Sequence, residues 1–306
     1  MALQSNIQNL LTVGSKIILG KEEELKLALS CFLAQGHLLI EDVPGMGKTT
    51  FAKFISKSLG LSFSRIQFTS DLLPADILGV QIFNQSKSSF EFHSGPIFSQ
   101  FILADELNRG TSKTQSALLE AMEEYQITID KKTYHLPTPF FVVATQNPRS
   151  QIGTNALPES QLDRFMMKIK LGYPEAKEEK QLLLSDDRNE MINKLQALLT
   201  DQEIVKMMKD AKDIFVSEAI LNYVTDILSK SRSTDHFQGL SPRAGMDIIK
   251  GAKAWAYIHN DKKVLPEHIQ AVAPAILSHR LSPFKNISMD LEMNLTKELI
   301  QMVQVY

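Results

Sequence analysis

Ten consecutive residues, Glu41-Asp-Val-Pro-Gly-Met-Gly-Lys48-Thr49-Thr50, constrain this chain more than any other stretch. An apolar run, His37-Leu-Leu-Ile40, precedes them, and Phe51, Ile55 and Leu59 follow at helical spacing. A strand, a glycine-rich turn and a helix in that order form a phosphate cradle. Backbone N–H groups of Gly45, Met46 and Gly47, in the turn that Pro44 opens, close around phosphate oxygens, and the helix N-terminus adds its dipole. In such a cradle Lys48 reaches the terminal phosphates, Thr49 sets its hydroxyl on Mg²⁺, and Thr50 stands beside it. The strict motif has a glycine where this chain has Asp42. The competing reading is a chance Gly-x-Gly-Lys-Thr turn, and the segments downstream weigh against it.

Those segments alternate strand and helix signals up to about residue 172. The strands are predicted at His37–Ile40, Phe63–Phe68, Phe101–Ala104, Phe140–Ala144 and Met166–Leu171. Phe101-Ile-Leu-Ala and Phe140-Phe-Val-Val-Ala are unbroken apolar runs, which suits central parallel strands covered on both faces. A layered α/β domain over residues 1–172 follows. Ligands of such sheets sit at the carboxyl ends of the strands. Two segments, about 80–93 and 126–136, read instead as hairpins projecting from the domain; ordinary edge strands are the alternative. After the turn at Gly172-Tyr-Pro174 helical patterns take over at 175–185, 189–199, 201–209, 217–231, 241–259 and 266–280. They predict a smaller all-helical domain over residues 173–306.

Charge and cysteine content narrow the function classes. The formal net charge of the 306 residues is −2, so no bulk attraction to nucleic acid or to an anionic membrane is expected. One cysteine, Cys31, lies in an apolar helical stretch and forms no internal disulfide, which fits a reducing compartment. Neither a signal peptide nor a membrane-length apolar run is evident, and a cytoplasmic location is expected. The seven histidines are scattered without cysteine partners, so a structural zinc site is not expected.

Phe101-Ile-Leu-Ala-Asp105-Glu106 ends a buried strand in two carboxylates. Asp105 then stands beside a bound Mg²⁺, and Glu106 polarises an attacking water. An acidic helix start is the bland alternative. Asn147 ends the next apolar strand, where it can bridge water or phosphate, or simply start a turn before Pro148. Arg164, on a predicted helix end, carries a guanidinium suited to a neighbouring subunit's nucleotide. From these residues alone a surface pair with Asp163 or Glu159 is the stronger reading. Arg243 opens a helix against its dipole, which points either to an anion reached across the domain cleft or to a solvated arginine.

Taken together, the stretches 41–50, 65–69, 71–76, 104–109, 113–122, 144–148, 157–165, 171–174 and 241–244 resemble the MoxR family of AAA+ ATPases over most of the chain. The resemblance implies an AAA+ three-layer P-loop domain with a helical lid. Lys48 and Thr49 look like its Walker A pair, Asp105 and Glu106 its Walker B pair, and Asn147 its sensor 1. Arg164 looks like the arginine finger and Arg243 the sensor 2 arginine. Ile18 and Gly20 fall in the segment that contacts adenine in the family. The hairpins look like the two inserts that touch substrates or partners. ATP, Mg²⁺, a homo-oligomeric ring (typically a hexamer) and a partner carrying a von Willebrand factor A domain are implied, with a chaperone-like role in maturing a protein complex. One stretch departs from the family: Arg149-Ser-Gln-Ile152 stands where an acidic run is usual. A DNA-directed motor and a nucleotide-gated binding module with negligible turnover are the alternatives. Near-neutral charge opposes the first and the intact Glu106 opposes the second.

Overall fold

The computed structural model describes residues 2–147, 157–184, 188–234, 237–281 and 289–305, so the Arg149–Ile152 departure lies outside the described residues. Helices α1 (Ala2–Ile17) and α2 (Glu22–Leu33) open the chain. Strand β1 (Leu38–Glu41) leads through the glycine turn into α3 (Lys48–Ser58), followed by β2 (Phe63–Gln67) and α4 (Pro74–Leu78). A hairpin of β3 (Gly79–Asn84) and β4 (Ser89–Ser94) precedes β5 (Phe101–Asp105) and α5 (Ser112–Glu124). A second hairpin, β6 (Gln126–Ile129) and β7 (Lys132–His135), precedes β8 (Phe141–Gln146), α6 (Glu159–Leu162) and β9 (Met167–Ile169). Seven helices complete the described chain: α7 (Ala176–Leu184), α8 (Arg188–Lys194), α9 (Asp201–Lys212), α10 (Glu218–Arg232), α11 (Pro242–Ile258), α12 (Pro266–Leu281) and α13 (Met289–Gln301).

All five predicted strands enter one parallel sheet, in the order β2-β5-β8-β1-β9. Every residue of β5 and β8 is buried, as their unbroken apolar runs require. The two hairpins form separate two-stranded sheets, so they project from the main sheet. Register sets what meets at the carboxyl edge. Glu41 lies opposite Gln146, Ala104 opposite Ala144, and Gln67 opposite Asp105. The residues that follow β1, β5 and β8 therefore emerge side by side.

One apolar core runs from Phe51 of α3 and Leu38 of β1 through Ile169 of β9 to Tyr223 and Ile269 in the helices beyond Gly172. Helix α11 packs on α2 and α12, and α8 rests against α1 and α3. At the amino end of β1, buried His37 accepts from the Val142 amide at 3.1 Å and donates to the Met122 carbonyl at 3.1 Å. Burial pushes its pKa down to about 4, so the ring is neutral near pH 7. Among the described residues no helix is long and apolar enough to cross a membrane.

Two helices differ from the expected pattern. Helix α8 ends at Lys194 rather than at Leu199. Helix α13, absent from the expectation, packs chiefly on α12, which lies against β9, and it docks partly through charge. Buried Lys168 pairs with Glu292 and lies 3.7 Å from Glu41, and Lys170 lies 2.9 Å from Asp290. The buried positions of α13 mix apolar and polar residues, Met289, Glu292, Thr296, Leu299 and Ile300.

Candidate active site

Gly45 and Gly47 adopt φ of +88° and +79°, and a Cβ on either would meet open space. The requirement for glycine is therefore in the backbone turn, since L side chains rarely take these angles. Gly47 caps α3 without offering a side chain, so the first-turn amides of Lys48, Thr49 and Thr50 face the turn's hollow with no side-chain acceptor from the cap. Such a cradle of amides at a helix N-terminus fits a polyphosphate.

The departure at Asp42 has a structural use. Its carboxylate accepts from the Val43 amide at 2.8 Å and from the Gly172 amide at 2.6 Å. A glycine could not make this bond. Asp42 thus ties the start of the phosphate loop to the turn that leads into the helical half.

Lys48 folds back over the loop, donating to the Asp42 carbonyl and to Asn147 Oδ1 at 3.3 Å. Burial lowers its pKa, while the carboxylates of Asp42, Asp105, Glu106 and Glu41 pull it back up. An arriving phosphate would add further negative charge and favour the ammonium form. Asn147 Nδ2 in turn lies 3.5 Å from Glu106 Oε1. The three groups expected to meet at the carboxyl edge therefore form one polar chain, Lys48 to Asn147 to Glu106.

Glu106 itself sits in the left-handed region at φ +56°, a strained setting for a non-glycine residue. Its amide donates to Thr145 Oγ1 at 2.9 Å. Gln67 donates to its carboxylate at 2.9 Å, and Arg109 lies 3.2 Å away. Asp105 is held in the same manner: Arg65 approaches it at 2.6 Å and Thr145 donates to it at 2.6 Å. The expected Mg²⁺ ligands, Thr49 and Asp105, supply only a hydroxyl and a carboxylate. That donor set fits Mg²⁺, which keeps several waters and takes phosphate oxygens as its other ligands.

An open cleft of about 150 Å³ continues from the glycine turn. Ile18 and Leu19 line one side, and Leu171, Pro174, Leu182 and Arg188 the other. Ile18 was expected there. Gly20 does not line the cleft; at φ +67° it turns the chain against Glu178 of α7. Arg188 was missed by sequence reasoning, because no motif covers the start of α8. Burial lowers its pKa from the ordinary arginine value. No carboxylate pairs with it among the described residues.

The two remaining arginines are elsewhere. Arg164 lies 3.2 Å from one oxygen of Glu123, and Arg243 lies 3.4 Å from the other. Arg243 also lies 3.8 Å from Asp163. Both line a second cleft with Gln35, His37 and Tyr125, at the amino end of β1. Four strand residues, roughly 13 Å, separate this end from the phosphate loop. Arg243 was expected either to reach an anion across the domain cleft or to be a solvated arginine; it stands at the amino edge beside Glu123 and Asp163. Helix α11 packs on α2, which precedes β1, so its N-terminus opens at the amino edge. The side facing the phosphate loop is taken by α7 and α8 instead.

Comparison with known proteins agrees with this arrangement. Residues 37–167 match the family described as "ATPase family associated with various cellular activities (AAA)", and residues 233–299 match an AAA lid domain. The chain is 42% identical to the uncharacterized protein YeaC of Bacillus subtilis, over 92% of this chain and 89% of that one. It is 36% identical to Chaperone MoxR1 of Mycobacterium tuberculosis, over 87% of this chain and 73% of the relative. A crystal structure of a candidate ATPase from Cytophaga hutchinsonii superimposes with a TM-score of 0.87 at 35% identity, covering 99% of this chain and 96% of that one. The matches run through the segments that carry the phosphate cradle, the acidic strand end and the helical half, and the chain belongs to the MoxR family of AAA+ ATPases.

Proposed function

We propose that this AAA+ ATPase hydrolyses ATP with Mg²⁺ in a ring of its own copies, each copy completing its neighbour's site. The observation that carries this reading is the separation of parts. Lys48, Asn147 and Glu106 form one chain at the carboxyl edge, while Arg164 and Arg243 share Glu123 at the amino edge. A subunit so built holds a phosphate-facing half-site on one side and a pair of guanidiniums on the other. Head-to-tail packing around a closed ring joins the two halves, and a hexamer is the closure we propose.

Within the joined site, Lys48 and the loop amides hold the terminal phosphates. Asn147 orients the attacking water and Glu106 polarises it once Gln67 and Arg109 release the carboxylate. Arg164 and Arg243 face the charge that develops on the transferred group. Mg²⁺, when bound through Thr49 and Asp105, neutralises phosphate charge. Leaving Arg65 to compete for Asp105 without metal makes the pair a natural resting contact. Ile18 and Leu182 cover the base, and Arg188 faces the nucleotide from the helical half. We place the boundary of that half, the lid, at residue 173.

The chaperone-like role is proposed on the hairpin β3–β4. Phe83 and Phe90 stack edge to face at 5.2 Å between ring centres and remain half or more exposed. Exposed aromatic pairs at the tip of a projecting hairpin suit contact with a client or with a partner carrying a von Willebrand factor A domain. Such a partner would direct the ring to the complex it helps mature. Affinity capture from the native cell, with and without the Phe83→Ser/Phe90→Ser pair, tests that role.

The primary test is phosphate release by the purified chain with ATP and Mg²⁺, and its arrest by EDTA. Lys48→Ala should weaken ATP binding by about 10- to 100-fold, the worth of a charge-assisted hydrogen bond. Undiminished binding and turnover in that variant would remove the phosphate loop from the reaction. Arg188→Ala should raise KM for ATP about tenfold with kcat unchanged, because a ground-state contact is lost while the reacting groups stay in place. An unchanged KM would show that Arg188 leaves the nucleotide untouched.

A further inference from the structure

We infer that Arg280, on α12, is the positioning residue that aims Arg164 and Arg243 together. The inference rests on the proposed action of those arginines on a neighbouring subunit's nucleotide. Arg280 is almost wholly buried, with 6% of its side chain exposed. Its Nε lies 2.7 Å from Asp163 Oδ1. Its Nη2 donates to the Asp163 carbonyl at 3.1 Å and approaches the Phe165 carbonyl at 3.3 Å. The same nitrogen donates to Asp247 Oδ2 at 2.8 Å.

These contacts grip both residues that flank Arg164. The neighbouring His279 adds to the grip: its Nε2 lies 3.0 Å from the Phe165 carbonyl. Phe165 is fully buried, so the turn is anchored below and bound from the side. The Arg164 side chain leaves this turn with 30% exposure, toward Glu123. Direction is fixed by the backbone at 163 and 165, and that backbone is fixed by Arg280.

Asp247 connects the second arginine. It lies one helical turn beyond Arg243 on α11, and the other carboxylate that Arg280 touches, Asp163, is itself 3.8 Å from Arg243. One buried fork therefore joins the finger turn to the helix that carries Arg243. Movement of α12 would shift both guanidiniums as a unit. The three hydrogen bonds converge on Nη2, one bond further along the side chain than a lysine ammonium would sit, so a lysine would not hold all three.

The test uses Arg280→Lys in the full-length chain, assayed alone and in mixed rings. ATP affinity should stay within about twofold of the parent, and kcat should fall about 100-fold, the scale of a misplacement of roughly 1 Å. Mixing with Lys48→Ala subunits, whose fingers are intact, should restore turnover as it does for Arg164→Ala. Mixing with Arg164→Ala subunits should restore none, since neither subunit type then offers an aimed finger. A defect in general folding would instead damage the variant's own nucleotide site and resist rescue by Lys48→Ala. Turnover of Arg280→Lys within twofold of the parent, or failure of Lys48→Ala to rescue it, overturns the inference. Parent-like turnover of Arg164→Ala alone would instead overturn the underlying reading. If Arg280→Lys shows no cooperative thermal transition, Asp247→Asn, which loosens only the α11 side, faces the same mixtures and the same criteria.

Discussion

Glu106→Gln is expected to bind ATP as tightly as the parent chain while kcat falls by about 10²- to 10⁴-fold, the range for loss of a general base. The substitution keeps the shape of the side chain and removes its charge. Gln67 and Asn147 retain a group to bond, and the phosphate loop is untouched. What disappears is the carboxylate proposed to draw a proton from water. A change in kcat without a change in affinity identifies a group that acts only as the reaction proceeds. Titration with a fluorescent ATP analogue and single-turnover phosphate release measure the two quantities separately. A single-turnover rate near the parent's would take Glu106 out of the hydrolytic step. The strained backbone at Glu106 bears on the same point. The left-handed turn at Glu106 carries its side chain off the strand end between Gln67 and Asn147.

Much of this geometry was legible before any coordinates. Two unbroken apolar runs specify central strands, and polar residues placed just after strands of one parallel sheet must share an edge. Lys48, Glu106 and Asn147 follow that rule. What was not legible depends on tertiary packing. Nothing local to Arg243 says that α11 lies on α2, which places the arginine at the amino edge of the sheet. Helix α13 escaped notice although its period is intact; two of its five buried positions, Glu292 and Thr296, are polar, and Glu292 finds its partner Lys168 124 residues away. Asp42 registered only as a departure from a motif; its partner, the Gly172 amide, is 130 residues away. Arg65 and Gln67 were within reach of inference, being two apart on one strand and so on one face, yet no motif gave them a role. They sit opposite Leu103 and Asp105, which brings them to the acidic strand end.

Arg164→Ala is expected to lose about 10³-fold or more in kcat, the lower range for an arginine finger, with its own ATP affinity intact. The affinity should survive because the guanidinium lies at the amino edge with Glu123, across the sheet from its own phosphate loop. The loss should therefore be curable by another subunit. In a head-to-tail ring, Lys48→Ala subunits have no working phosphate loop but offer intact fingers. At equal proportions half the subunits carry a competent loop and half of those face a finger-bearing neighbour, so turnover should recover to about a quarter of the parent's. No recovery at any ratio would place the finger in its own chain or outside the reaction. Arg243→Ala sharpens the test, because it sets the structure against the sequence expectation. If Arg243 served its own nucleotide, Lys48→Ala neighbours could not replace it. Sharing Glu123 with Arg164 at 3.4 Å, it should be rescued to the same extent, and both arginines would then act across one intersubunit boundary.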